Sequence, residues 1–251
     1  MGPKVYKRGS LQYAYQARSD VGQVRSNNED SLIEAPDMGL FGVCDGLGGH
    51  VAGEIASSIA AVTLEEAVKT ESEFPDKALR AGIRDANRRI LRDQSENPEH
   101  RGMGTTVTSL WLMPEESGRG WIGHVGDSRM YLQRDDVLEQ VTDDHSPVFR
   151  LYQQGVLTKD QMQHHPQKNL LDRSLGVFPN LKVDVFSVSL SSKDIVLICT
   201  DGLTDALSDS EIQSILTTSS LGDAADQLIV TANEKGGFDN ITVVLVQILE
   251  T

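Results

Sequence analysis

The sequence predicts an α+β fold in which antiparallel sheets carry helices on their outer faces. Three observations lead there. Strand-like patterns dominate the beginning, the middle and the end of the chain. Helical periodicity is confined to two pairs of segments. The resulting order, strands, two helices, strands, two helices, strand, lacks the strand–helix alternation of a doubly wound parallel sheet. With 251 residues, 39% of them hydrophobic, the chain can enclose a substantial core in a single domain.

Leu11, Tyr13, Tyr15 and Ala17 alternate with Gln12, Gln16 and Arg18, the pattern of a half-buried strand. Short strands follow at 31–35 and 40–44. Ala52, Ile55, Ala56, Ile59 and Ala60 then fall on one helical face. Leu79, Ile83, Ala86 and Ile90 repeat at i, i+4, i+7 and i+11 with charges opposite. Strands resume at 105–112, 120–125, 129–133 and 137–141, with the turn-like 114–120 (PEESGRG) as a hairpin loop. The segment 143–176 is polar, with a short helical piece at 147–154. Strands at 183–190 and 195–199, helices at 209–216 and 221–234, and a strand at 241–249 complete the series. The strands 195–199 and 241–249 are nearly all apolar, so both of their faces should be covered.

Lys and Arg number 23 against 37 Asp and Glu, a formal net charge of −14. Such a chain repels phosphate backbones, so nucleic acid is excluded as a partner. The longest apolar runs, 195–199 and 243–246, are far too short to span a membrane. The opening MGPKVYKRGS has no apolar region of a secretory signal, and Tyr6 breaks the myristoylation pattern. Two cysteines, both inside apolar runs, fit a reducing, cytoplasmic setting.

The acids recur in one kind of place. Phe41-Gly42-Val43-Cys44 runs into Asp45-Gly46, and Leu197-Ile198-Cys199-Thr200 runs into Asp201-Gly202. Asp239-Asn240 and Asn28-Glu29-Asp30 each precede an apolar strand, and Gly126-Asp127-Ser128-Arg129 joins two strands. Singly, an Asp-Gly step is as readily an ordinary turn. Brought to one edge of a layered fold, these acids would build an oxygen-only site for Mg²⁺ or Mn²⁺. Their mutual repulsion would be relieved by the cation. The histidines show no zinc spacing, no stretch fits a Ca²⁺-binding loop, and Gly46–Gly49 completes neither a P-loop nor a dinucleotide fingerprint. His124, inside an apolar strand, reads as a core residue, and His145 as a loop residue.

At this point the sequence resembles a known family. Ser19-Asp20-Val21-Gly22 with Arg25 and Asn28-Glu29-Asp30 is similar to the opening motif of the PPM family, the metal-dependent type 2C protein Ser/Thr phosphatases. Asp45-Gly46-Leu47-Gly48-Gly49-His50 looks like the second motif in its bacterial form. Gly104-Thr105-Thr106, Gly126-Asp127-Ser128-Arg129, Asp201-Gly202-Leu203 and Asp239-Asn240 match later motifs in the family's order, so the resemblance spans about residues 12 to 248. It implies a four-layer αββα sandwich, two antiparallel sheets flanked by helix pairs. It implies one catalytic domain over 11–251, a flexible extension at 1–10, and a flap at 143–176 beside the active site. It also implies two Mn²⁺ or Mg²⁺ ions, bridged by Asp45 and completed by the Gly46 carbonyl, Asp201 and Asp239. Asp127 would help hold a third, weaker ion, and Glu29 and Asp30 would lie beside the centre, acting through water.

The implied reaction is hydrolysis of phosphoserine or phosphothreonine by direct in-line attack of a metal-activated water. Arg25 would grip the phosphate and His50 would protonate the departing oxygen. Eukaryotic relatives place their histidine directly after Asp-Gly, where this chain has Leu47. The implied partners are phosphorylated proteins, with a cognate Ser/Thr kinase and its targets. A degenerate, non-catalytic member would have lost metal acids, and Asp45, Asp201 and Asp239 are all present. A two-metal nuclease would carry a basic stripe, which this chain lacks.

Overall fold

The computed structural model describes residues 4–48, 52–69, 74–113 and 118–251. One sheet has the order β1-β2-β13-β12-β9-β10: β1 Val5–Arg8, β2 Leu11–Asp20, β13 Ile241–Glu250, β12 Ile195–Cys199, β9 Arg129–Arg134 and β10 Val137–Gln140. The second has the order β11-β8-β7-β4-β3: β11 Asp184–Ser189, β8 Arg119–Val125, β7 Val107–Leu112, β4 Leu40–Cys44 and β3 Ser31–Ala35. Every pairing in both sheets is antiparallel. A small ribbon joins β5 Gly46–Leu47 to β6 Gly104–Thr105.

Strand periodicity sorts side chains into layers. In β13, Val244, Val246 and Ile248 point into the core between the sheets, with Phe41 and Val43 of β4 and Val196 and Ile198 of β12. Their neighbours Val243, Leu245, Leu197 and Cys199 face outward and are covered by the late helices α6 Asp209–Thr218 and α7 Leu221–Glu234. Leu40 and Cys44 face the other way, under α1 Gly53–Val68 and α2 Pro75–Glu96. Helix pair, sheet, sheet, helix pair is the four-layer sandwich, and it explains why the central strands are apolar on both faces.

Three expectations change. Residues 5–8, assigned to a loose extension, form β1, an edge strand on β2 whose Tyr6 stacks on Tyr13 at 6.0 Å. Its basic residues, Lys7 and Arg8, suit an edge. The single strand expected at 105–112 divides into β6 and β7, because Thr106 turns its polar groups to Asp45. Asp201-Gly202, read as a turn, instead opens a short helix, α5 Asp201–Ala206, with Thr200 at its N-cap. The 143–176 region contains α3 Pro147–Gln153 and α4 Lys159–Gln163. Among the described residues, no helix is long and apolar enough to cross a membrane.

Candidate metal centre

The strand registers bring the acids to one edge. Ser31 pairs with Cys44, Val107 with Val125, and Cys199 with Val243. The entry to β3, the exits of β4, β8 and β12 and the entry to β13 therefore share one end of the sandwich. That end carries Asp30, Asp45, Asp127, Asp201 and Asp239.

Asp45 is held by its backbone. Its carbonyl accepts from the Thr106 N–H at 2.9 Å and the Thr105 hydroxyl at 2.8 Å, and its N–H donates to Thr106 Oγ1 at 3.0 Å. Thr106 Oγ1 also meets Ser128 Oγ at 2.7 Å, tying the Asp127 turn to the same bracket. Gly46 follows in a space without room for a side chain: a Cβ would collide with the Glu29 and Gly53 carbonyls. The Glu29 carboxylate lies against Gly53, at the positive N-terminus of α1. The Asp30 carboxylate accepts from the Thr200 hydroxyl at 2.9 Å, and Thr200 Oγ1 in turn accepts from the Thr242 N–H at 3.0 Å.

The carboxylates raise one another's proton affinity. Burial first, then Asp201, Asp30, Asp127 and Asp239, push the Asp45 carboxyl well above the usual range. Asp127 is pushed up by burial, Asp201 and Asp144. Asp201 rises to about 6 through burial, Asp205 and Asp239, opposed by a hydrogen bond with Asp45 and by Lys168. Burial takes Asp30 to about 7 against the threonine bonds. Crowded together, Asp45 and Asp201 each hold a proton more tightly than an isolated carboxylate would. Among the described residues, no three carboxylate, imidazole or thiol groups meet closely enough to form a ready-made metal cage. The arrangement is a cluster of uncompensated oxygen donors around one contacting pair. Hard divalent cations supply the missing charge, and the all-oxygen donor set fits Mg²⁺ or Mn²⁺.

Asp127 and Asp201 also face a chamber of about 30 Å³, lined in addition by Arg129, Asp144, Lys168 and Asp205. Arg129 grips Asp144 bidentately at 2.8 and 2.6 Å. Lys168 reaches Asp205 at 2.6 Å, so the 143–176 segment borders the chamber. On the rim, Arg25 is exposed and donates to Asp239 Oδ2 at 2.8 Å, while Asp239 Oδ1 accepts the Asn240 N–H. Of the nine expected site residues, eight gather here. The ninth, His50, lies outside the described residues.

Residues 23–247 match the family model described as protein phosphatase 2C. The chain belongs to the protein phosphatase 2C family. It is 38% identical over 239 residues to serine/threonine phosphatase stp of Listeria welshimeri serovar 6b, covering 92% of this chain and 94% of that one. The crystal structure of the Mycobacterium tuberculosis serine/threonine phosphatase PstP/Ppp superposes with a TM-score of 0.88 at 36% identity, over 96% of this chain and 100% of that one. A structure of the PstP catalytic domain, at TM-score 0.87 and 34% identity over 96% and 100%, is in complex with two manganese ions. The expectation of two divalent cations therefore agrees with a neighbouring structure of this phosphatase family.

Sequence reasoning did not assign the supports. The Thr105-Thr106 bracket was visible only as a motif. Arg129 had no role, and its partner Asp144 no signal. His145, read as a loop residue, is buried and accepts the Gly126 N–H at 3.1 Å, bracing the Asp127 turn from the other side.

Proposed function

We propose that this chain is a metal-dependent protein serine/threonine phosphatase that hydrolyses phosphoserine and phosphothreonine by direct, in-line attack of water. The observation that carries the proposal is the mutual crowding of Asp45, Asp127, Asp201 and Asp239 at one sheet edge, with exposed Arg25 on its rim. Bound divalent cations supply Lewis-acid charge and lower the pKa of a coordinated water.

Asp45, the Gly46 carbonyl, Asp201 and Asp239 would hold two ions, and Asp127 faces the chamber where a weaker third ion would be held. Arg25 swings its planar fork from Asp239 to the phosphate oxygens. Glu29 and Asp30 orient the centre from behind, and His50 protonates the leaving oxygen. Cys44 and Cys199 adjoin Asp45 and the α5 N-cap, but burial pushes both thiols up, Cys199 to about 12. Neither is a ready nucleophile, which favours attack by water over a covalent cysteinyl intermediate. The segment 143–176 serves as a flap that screens substrates. The substrates are phosphorylated proteins in the cytoplasm, including a cognate Ser/Thr kinase and its targets.

The test is hydrolysis of p-nitrophenyl phosphate with Mn²⁺, with EDTA, and by Asp201→Asn. Turnover with Mn²⁺ that both controls abolish is the expected result. Turnover that persists in EDTA refutes metal dependence.

A further inference from the structure

The most exposed large hydrophobic side chain among the described residues sits directly beside the candidate centre. Phe238, 73% exposed, precedes Asp239, and Val24, 63% exposed, precedes Arg25. Arg25 and Asp239 are bonded to each other at 2.8 Å. The two apolar side chains therefore flank, in sequence, the ion pair on the rim of the site.

The loops that carry them are laced together. The Gln23 N–H donates to the Gly237 carbonyl at 2.7 Å, and Gln23 Nε2 donates to Asn233 Oδ1 at 3.2 Å. Asn240 Nδ2 donates to the Val21 and Asn27 carbonyls at 3.0 and 2.9 Å. Gly22, at φ +79°, has no room for a Cβ against the Asp239 carbonyl, and Gly236, at φ +125°, none under the Phe238 ring. A phenyl ring held in water on a glycine-built, cross-bonded loop loses hydrophobic stabilisation that a polar residue would not forgo.

We propose that Phe238, with Val24, forms an apolar subsite that receives a bulky hydrophobic side chain next to the phosphorylated residue of the substrate. The proposal rests on the phosphatase reading, because the substrate is placed by its phosphate on Arg25. Chain spacing favours that occupant. Neighbouring Cα atoms are about 3.8 Å apart, so Phe238 and Val24 each lie one step from the ion pair. An extended peptide also advances about 3.3 Å per residue, so the residues adjoining the phosphorylated one would lie the same single step away from Arg25 as Phe238 and Val24 do from the ion pair.

The experiment measures binding of non-hydrolysable phosphonate peptides with Leu or with Gly at both positions flanking the phosphoserine mimic, to the Mn²⁺-loaded protein. Turnover of the matching phosphopeptides is followed in parallel. Wild type should favour the Leu peptide about tenfold in Kd, a ring-sized apolar contact. Phe238→Ala should reduce that ratio to about 2 or less, and Phe238→Leu should keep most of it. In turnover the loss should appear in KM rather than kcat. An equal ratio in wild type and Phe238→Ala overturns the subsite. So does a wild-type dimer that Phe238→Ala dissolves, because the ring would then be covered by a second copy. Hydrolysis of both peptides with equal KM refutes the subsite and leaves the phosphatase standing. Discrimination in binding without turnover sustains the subsite and refutes the phosphatase.

Discussion

Replacing His145 with Asn should flatten the acid side of the stability curve. The Gly126 N–H points at His145 Nδ1, 3.1 Å away, so that nitrogen is the acceptor and the proton resides on Nε2, 3.2 Å from Asp184 Oδ2. Arg173 Nη1 lies 3.0 Å from the same Nε2 and donates to Asp184 Oδ1 at 2.9 Å. A second proton on the ring would set one N–H against another in a place that water does not reach, since the His145 side chain is 5% exposed. Burial, then His124 with its ring centroid 4.5 Å away, then Arg173, press the imidazole down to about 3.

A base with a depressed folded pKa stabilises the fold above its unfolded value near 6.5 and loses that contribution as pH falls from there toward 3. At pH 5 the unfolded chain has taken the proton and the native chain has not, a loss of about 2 kcal/mol. For a chain of this length that is a Tm shift of about 4–8 °C. Asn keeps an acceptor oxygen near the Nδ1 position and does not titrate, so its difference from wild type isolates one proton. Denaturant unfolding in EDTA at pH 7.5 and pH 5 is the assay. Wild type should lose about 2 kcal/mol more than His145→Asn between the two pH values. Parallel losses would refute the buried neutral imidazole.

The other outcomes concern the centre itself. Gly46→Ala should destabilise by about 2 kcal/mol or more, because its Cβ meets two carbonyls that belong to fixed backbone; an unchanged Tm would refute the close approach. Thr106→Val strands the Asp45 N–H and cuts the link to Ser128, so denaturant unfolding should report a loss of about 1–3 kcal/mol and calorimetry a weaker Mn²⁺ affinity. Arg25→Ala should raise KM for phosphopeptides at least tenfold while Mn²⁺ stoichiometry stays at wild type; loss of metal would mean that the arginine shapes Asp239 instead of binding phosphate.

The layers were legible because periodicity reports burial. The apolar runs 195–199 and 241–249 carry no polar face, and each strand packs between a sheet and a helix pair. The acids were legible because they stand where strands begin and end. What escaped depended on contacts between distant residues. Thr200-Asp201-Gly202 reads as a turn at the end of a strand. In the structure it opens α5, and Thr200 at the N-cap donates its hydroxyl to Asp30, 170 positions away in sequence, and makes no side-chain bond to its own helix end. The strand break at 106 follows from Asp45 in the same way. Val5–Arg8 looked solvated because its charges are those of an edge strand.

The supports share a logic that explains how so many acids are tolerated together. Asp45 is fixed through its N–H and carbonyl, and its turn neighbour Gly46 by steric closure, so no side-chain oxygen of Asp45 is consumed in holding the chain. The Gly126–Asp127 turn is clamped on both sides by Thr106–Ser128 and by His145, again through hydroxyls and backbone. Hydroxyls and a neutral imidazole add no charge, so they position the carboxylates without neutralising them. Cationic partners stand one step back instead: Arg129 on Asp144 and Lys168 on Asp205. Among the described residues, Asp239 meets a guanidinium directly, that of exposed Arg25. The fold thus stores uncompensated negative charge at one edge, held by neutral groups. That is the electrostatic condition under which divalent cations bind and under which, in the proposed reaction, exposed Arg25 would exchange the Asp239 carboxylate for a phosphate.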